Sequence, residues 1–384
     1  MEILVGYDES LLERPVKYAI TTLLEVAGVP HRLLPLSALR RVSSDIPLIL
    51  IYGPEGVKRP CFQRCIHVCS TDLFDKRKYL RPDSLPTNVC YFEEIPFLFY
   101  APGNERRLER FKDGKSDVLV VRVDIFASTF FLLTCYEEIV KKGPLDKFGR
   151  FPSSESILGK FGLLHRPLVH EYAELLKKWI KSMSPGLKFA KRFFHGRNYA
   201  LVLTHDIDLL HLSPTQIFHL LKRKRTIQGL IDALSFPVTM ALRKDPFCNL
   251  RQIVKWEAKL GVRSTFYFLT QKGRFEANYE MEEVSSMIGE MVSKGWEVGF
   301  HAGFRTALNP REFMQQLHKL KNFLGNTGVT GGRHHFLVFK PPITWRIWEQ
   351  AGLKYDSTIG FFTRGLDVAF VCPFDRLMQW SNVR

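Results

Sequence analysis

Long hydrophobic runs are missing from this 384-residue sequence. No segment reaches the ~18 continuous apolar residues of a membrane-spanning helix, which excludes that class. Cysteine is scarce: there are seven, an odd number, without the C-x-x-C pairs of structural zinc sites. This argues against a disulfide framework and sets the expectation of a reducing cytoplasm. Cys61, Cys65, His67 and Cys69 are accordingly read as a run with buried or free thiols. Met1–Asp8 carry no basic region, long apolar stretch or small-residue cleavage site, so they read as a first buried strand instead of a secretory leader. A glycine-rich phosphate loop is also lacking, since Gly53-Pro54-Glu55-Gly56 is too sparse for one. No aromatic-and-basic stacking motif or groove-reading helix occurs, which sets nucleic acid aside as a partner.

Hydrophobic residues make up 45% and charged residues 24%, an ordinary globular balance that opposes disorder. The length exceeds a single core and predicts two domains. Net charge is +16, and its densest contribution is Lys222-Arg223-Lys224-Arg225, followed by Arg243 and Lys244 with Asp232 the only acid between. Apolar residues from Ile217 to Leu234 have helical spacing, so the basic segment 219–244 is expected to fold as a helical insertion. A solvated face is one reading of it; a contact with anionic glycan, lipid-linked sugar or a membrane surface is the other.

Along residues 1–185, strand-like and helix-like stretches alternate. Ile3-Leu4-Val5, Pro47–Tyr52, Pro96–Tyr100 and Val118–Val121 read as strands, and Lys17–Ala27, Asp124–Val140 and Pro167–Met183 as helices. Asp146–Ser156 reads as an exposed loop. Such alternation predicts an α/β layer with a mostly parallel sheet. Ser184-Pro185-Gly186 breaks the last helix and places a domain boundary there. From 186 to 384 the pattern restarts: strands at Tyr199–Thr204, Ser264–Leu269 and Trp296–His301, and helices at Asn249–Leu260, Met281–Lys294 and Pro310–Leu324. Repeated strand-helix units predict a (β/α) barrel or an open doubly wound sheet, with chemistry where strands end.

Asp206 and Asp208 stand at the end of the first of these strands. Two residues apart in extended chain, they face the same way. Neighbouring carboxylates repel unless a proton or a cation is shared, so either a capped turn or a bound divalent metal is implied. His301 ends the third strand on the same rim, and mixed oxygen and nitrogen ligands favour a metal. In Gly331-Gly332-Arg333-His334-His335 the adjacent histidines must diverge, so at most one faces the pocket, while Arg333 is placed to hold a carboxylate ionised. Tyr355-Asp356-Ser357-Thr358 is the last element.

This succession of acidic turn, glycine-preceded histidine, arginine element and Tyr-Asp-Ser resembles the polysaccharide deacetylases of carbohydrate esterase family four. It is more similar to a branch with a separate α/β domain in front. The stretches Asp124–Phe131, Gly149-Arg150-Phe151-Pro152 and Arg166–Val169 look like that branch. The resemblance implies a distorted (β/α) barrel after an α/β layered domain, in which metal-bound water attacks the acetyl carbonyl of an acetylated sugar. One Asp acts as base, and a late histidine protonates the leaving amine.

Carried over residue by residue, Asp206 takes the base position, with Arg333 as its catalytic partner. Ile207 sits where the family has its second aspartate, and the acid is displaced to Asp208. His301 matches the first metal histidine, but Arg305 stands where the second belongs, leaving His335 or His205 to complete the shell. The expected metal set is Asp208, His301 and His335 around zinc, or manganese or cobalt; His205, Arg305 and Asp356 are expected at the substrate. The family's acid histidine has no counterpart before Arg384, so the barrel is expected to be incomplete at its C-terminus and turnover weak. The implied function is metal-dependent removal of N- or O-acetyl groups from a polysaccharide or glycan precursor, a hydrolysis of carbon-nitrogen bonds other than peptide bonds. Two alternatives stand beside it: a catalytically impaired carbohydrate-binding remnant, and a nucleotide-sugar glycosyltransferase holding metal and diphosphate through Asp206 and Asp208.

Overall fold

The structure is a computed structural model. It describes residues 2–363, 366–369 and 372–373, apart from 40, 43–45, 47, 61, 102, 104–105, 191–199, 212–248 and 326–327. The predicted basic insertion and Cys61 therefore lie outside the described residues. The chain divides into two compact units, one built on residues 1–200 and the other on 201–360 and 369–374.

The first unit is an α/β layer. Its sheet runs β2 (His31–Pro35), β1 (Ile3–Tyr7), β3 (Ile49–Gly53), β4 (Arg64–Cys69), β8 (Ser116–Val121) and β7 (Leu108–Asp113). All neighbours are parallel except the β7–β8 pair. β1, β3 and β8 are buried along their whole length, which is why they read as continuous apolar runs. Helices α1 (Glu13–Val26), α3 (Ile125–Leu133) and α6 (Leu168–Met183) cover this sheet, with short α2 (Leu36–Leu39), α4 (Tyr136–Val140) and α5 (Ile157–Lys160) between them.

Two expected elements differ, each for a local reason. The helix expected over Asp124–Val140 is split into α3 and α4. Asp124 caps α3 through Ala127 N at 2.9 Å, but Thr134 Oγ1 bonds back to Phe130 O at 2.7 Å and Cys135 turns left-handed (φ 50°). The strand expected at Pro96–Tyr100 shrinks to β6 (Ile95–Phe97), paired with β5 (Cys90–Phe92) in a separate hairpin. Its turn residues, Glu93 and Glu94, both have positive φ, as a two-residue hairpin with native twist requires. Beyond α6, Leu187 is buried and Ala190 N donates to Gly28 O at 2.7 Å, so the chain past residue 185 stays with the first unit. Cys65 and Cys69 are free and buried, and burial pushes both thiols up to about 12. His67 donates from Nε2 to Gly53 O at 3.1 Å, a satisfied core histidine.

The second unit carries a six-stranded sheet. β9 (Thr204–Ile207), β10 (Thr265–Phe268), β11 (Glu297–Ala302), β12 (Gly331–His334) and β13 (Tyr355–Asp356) follow in sequence order, all parallel. β16 (Cys372–Pro373) adds antiparallel to β13, and β14 (Gly360–Thr363) with β15 (Leu366–Ala369) forms a separate ribbon. Helices α7 (Leu250–Leu260), α8 (Met281–Ser293), α9 (Pro310–Leu324) and α10 (Ile343–Gln350) alternate with the strands. Each new strand adds beside the last with no reversal. Right-handed crossovers then send successive helices to one face and leave the other to the strands' own side chains.

The strand expected from Tyr199 begins later, at Thr204, because its partner β10 offers pairing only from Thr265 onward. Leu201 and Val202, ahead of it, are exposed. No helix among the described residues is long and apolar enough to cross a membrane.

Candidate metal centre

Alternation along the strands sorts the second unit's side chains onto two faces. Residues facing the helices form an ordinary core: Phe300 meets Phe313 and Trp348 at 5.1 and 6.4 Å between ring centroids. The opposite face is polar, with Thr204 and Asp206 from β9 and Asp208 just past its end, Tyr267 from β10, Glu297 and His301 from β11, and Arg333 from β12 with His335 just past its end.

At the carboxyl edge of that face three side chains converge. Asp208 Oδ1 lies 3.1 Å from His301 Nε2 and 3.4 Å from His335 Nδ1, and the two imidazole nitrogens are 3.1 Å apart. His301 Nδ1 donates to Arg333 O at 2.9 Å, which in a neutral ring leaves the Nε2 lone pair aimed into the triangle. The chain turns sharply after His335: Phe336 is left-handed (φ 56°), and its ring lies 4.1 Å from the His335 ring. The histidine side chains are 1% and 8% exposed; the Asp208 side chain is 41% exposed, although its Oδ1, the atom in the triangle, is buried. A cleft of about 430 Å³ runs between β9 and the start of α7; Asp206 and Asp208 are in its lining, and His301 and His335 are not.

Donors around a tetrahedral zinc, at about 2.0–2.1 Å from the ion, are roughly 3.3 Å apart. The three separations in the triangle match that spacing. Burial lifts the Asp208 carboxyl, but the His301 hydrogen bond and the two imidazoles outweigh it and leave it below its ordinary range. Burial would lower His301, yet Asp208 and Asp206 hold it above the usual imidazole value. Burial pushes His335 down to about 4, the neutral form a metal ligand must have. A shared proton or a cation is what such a cluster calls for.

Beside the triangle, Arg333 Nη1 donates to Asp206 Oδ1 at 3.0 Å, Nη2 to Thr204 Oγ1 at 3.2 Å and Nε to Ser357 O at 3.2 Å. The backbone of Arg333 thus orients His301 while its side chain orients Asp206.

Residues 7–185 match a family described as "Family of unknown function (DUF7033)". No curated protein matches the chain. The matched stretch ends before β9, so the chemistry of the centre rests on its own geometry.

The remaining expected residues are elsewhere. His205 is one residue from Asp206 and therefore points the other way. Its Nε2 lies 2.8 Å from Glu257 Oε1 on α7, and its ring stacks on Phe266 at 4.6 Å, so it belongs to the helix-side core. Of the two candidates for the third ligand, the structure brings His335 to the triangle. His334 is fully buried against Phe313 and Trp348, where burial pushes it down to about 3. Arg305 is exposed at the entry to a short helical turn (Thr306–Leu308) and joins no described cluster.

Asp356, expected at the substrate, is 1% exposed; Oδ1 accepts from Thr358 N at 2.9 Å and from Thr358 Oγ1, and Oδ2 has no partner among the described residues. Burial pushes its carboxyl up to about 7. A carboxyl whose pKa is raised by folding contributes stability below its unfolded value of 3.8 and loses it as pH climbs through the folded one. Relative to Asp356→Asn, the wild-type chain is therefore expected to lose about 4 kcal/mol of stability between pH 4 and pH 8. Urea denaturation of both chains across that range checks it; a difference flat with pH would contradict the burial argument.

Sequence reasoning singled out neither Tyr267 nor Glu297. The register Tyr267↔Asp206 places the tyrosine directly beside Asp206, and alternation from Asp206 was the available clue.

Proposed function

We propose that the second unit is a metal-dependent hydrolase that removes acetyl groups from N- or O-acetylated sugars of a polysaccharide or glycan precursor. The observation that carries this reading is the Asp208–His301–His335 triangle with the Arg333–Asp206 pair beside it on one face. The resemblance of the acidic turn, His301 and the Arg333 element to polysaccharide deacetylases supplies the substrate class. The parallel order β9 to β13 supports the reading only at the level of an α/β sheet with strands added in sequence.

Asp208, His301 and His335 would hold the ion, zinc first and manganese or cobalt next, since an imidazole-rich set with one carboxylate suits these metals. When bound, the ion supplies a water of lowered pKa and polarises the acetyl carbonyl. Arg333 Nη1 donates to Asp206 Oδ1 and orients the carboxylate, leaving Oδ2 to take a proton. His334 is turned into the core and His335 into the triangle, so neither is placed to protonate a departing amine. Activated esters, whose leaving group needs no proton, are therefore the better substrates. The glycosyltransferase alternative needs both carboxylates on one ion and a diphosphate, and the Arg333–Asp206 pair opposes it.

The test uses the whole chain stripped with chelator and titrated with zinc, manganese or cobalt. One ion per chain, with acetate released from an aryl acetate and more slowly from an N-acetylated sugar oligomer only when metal is present, is the expected result. Failure to bind any of the three ions, or equal hydrolysis without metal, would end the proposal. Stoichiometric metal without hydrolysis of either substrate would favour the carbohydrate-binding remnant.

A further inference from the structure

The polar face below the triangle is filled in an unusual way. Barrel-like sheets normally pack that side with branched aliphatic side chains. Here a line of buried hydroxyls crosses it. Ser357 Oγ lies within hydrogen-bond reach of both Tyr267 Oη (3.2 Å) and Gly332 O (3.1 Å); Tyr267 Oη donates to Tyr355 Oη at 3.5 Å, and Tyr355 Oη to Glu297 Oε1 at 2.9 Å. Thr265 Oγ1 and Thr330 Oγ1 donate to the same carboxylate at 2.7 and 2.5 Å. Tyr267 and Tyr355 each donate one step nearer Glu297, so these two bonds reinforce each other.

Two glycines keep open the slots in which the rings lie. A Cβ on Gly299 would come within 2.6 Å of the Tyr267 ring, and one on Gly331 within 2.5 Å of the Tyr355 ring. The fixed Tyr267 ring then meets the site from below: Arg333 Cζ sits 5.1 Å over its centroid. A guanidinium on a ring face is attracted by the ring's quadrupole, and the planar stack limits how it can tilt. The same guanidinium reaches Asp206 at 3.0 Å.

We propose that Tyr267 is a positioning residue for the Arg333–Asp206 pair, its ring carrying the guanidinium and its hydroxyl anchored through Tyr355 to Glu297. The proposal rests on reading the site as a hydrolase, and its test separates the two. Tyr267→Leu removes the ring; Tyr267→Phe keeps the ring and loses the anchor. With metal supplied and an aryl acetate as substrate, Tyr267→Leu is expected to lower kcat by about 10–100-fold, the scale of a misplaced catalytic group. KM and metal content should stay within about twofold of wild type, and Tyr267→Phe should keep most of the rate.

In an Arg333→Ala background the leucine change should cost nothing further, because the group it positions is gone. A general structural role would instead lower metal content along with rate and act equally in both backgrounds, which would overturn the proposal. Independently of any activity, nitrogen NMR of the arginine side chains should show hindered rotation of the Arg333 guanidinium in wild type and Tyr267→Phe and free rotation in Tyr267→Leu. Hindered rotation persisting in a folded Tyr267→Leu chain would refute the positioning role even if the hydrolase reading stands. Free rotation there, in a chain that hydrolyses nothing, would uphold it while the hydrolase reading fails.

Discussion

Asp206→Asn is expected to reduce kcat by about 10²–10⁴-fold, the usual worth of a positioned general base, while the chain keeps its full complement of metal. The asparagine still offers an oxygen to Arg333 Nη1, now 3.0 Å from Asp206 Oδ1, so the local geometry should survive. What it loses is the ability to take a proton. Asp206 is outside the triangle, which is why metal content and rate should part company in this variant. Acetate release and elemental analysis on the same preparation check both halves. A parallel fall in bound metal would make Asp206 a ligand, and a rate within tenfold of wild type would deny it the role of base.

Asp208→Ala and His301→Ala should each lose metal outright. Removing a mere outer-shell partner of a ligand costs about 10–100-fold in affinity, and removing a ligand costs more. His301 is also buried, so its truncation lowers stability, and a folded chain has to be demonstrated by circular dichroism before the metal result is read. His205→Ala is the informative companion. It sits on the same strand but bonds Glu257, a buried carboxylate that also accepts from Ser264 Oγ at 2.8 Å and Trp296 Nε1 at 2.6 Å. Its loss should destabilise the helix side of the sheet and leave metal binding intact. Stoichiometric zinc in His301→Ala, or zinc lost in His205→Ala, would remove the triangle from consideration.

Much of this arrangement could be read from apolar runs that stop at a polar residue. That pattern locates the ends of β9 and β11, and hence Asp206, Asp208 and His301 on one edge. The direction of each side chain was less legible. Strand alternation alone sets His205 opposite to Asp206, yet a histidine beside an aspartate looks like a ligand until Glu257 on α7 claims it. For His334 and His335 the alternation from Arg333 decides, but it counts only once β12 is known to run to His334, and four residues opening on two glycines do not announce a strand. The Tyr267–Tyr355–Glu297 line was invisible for a different reason: its members come from strands far apart in sequence, and a tyrosine in an apolar strand reads as core. The start of β9 was misplaced because a strand exists only where a partner pairs with it. The basic insertion lies outside the described residues.

Arg333 has a consequence for how such a protein can change over generations. Its carbonyl fixes the His301 ring and its guanidinium fixes Asp206, so any shift of β12 displaces both at once. Variation there is constrained on two counts, whereas the loops after β10 and β11 carry none of the three converging side chains. Exposed positions in those loops, such as Arg305 and Leu308, can therefore vary without moving the three converging side chains. The centre itself is inherited as one block.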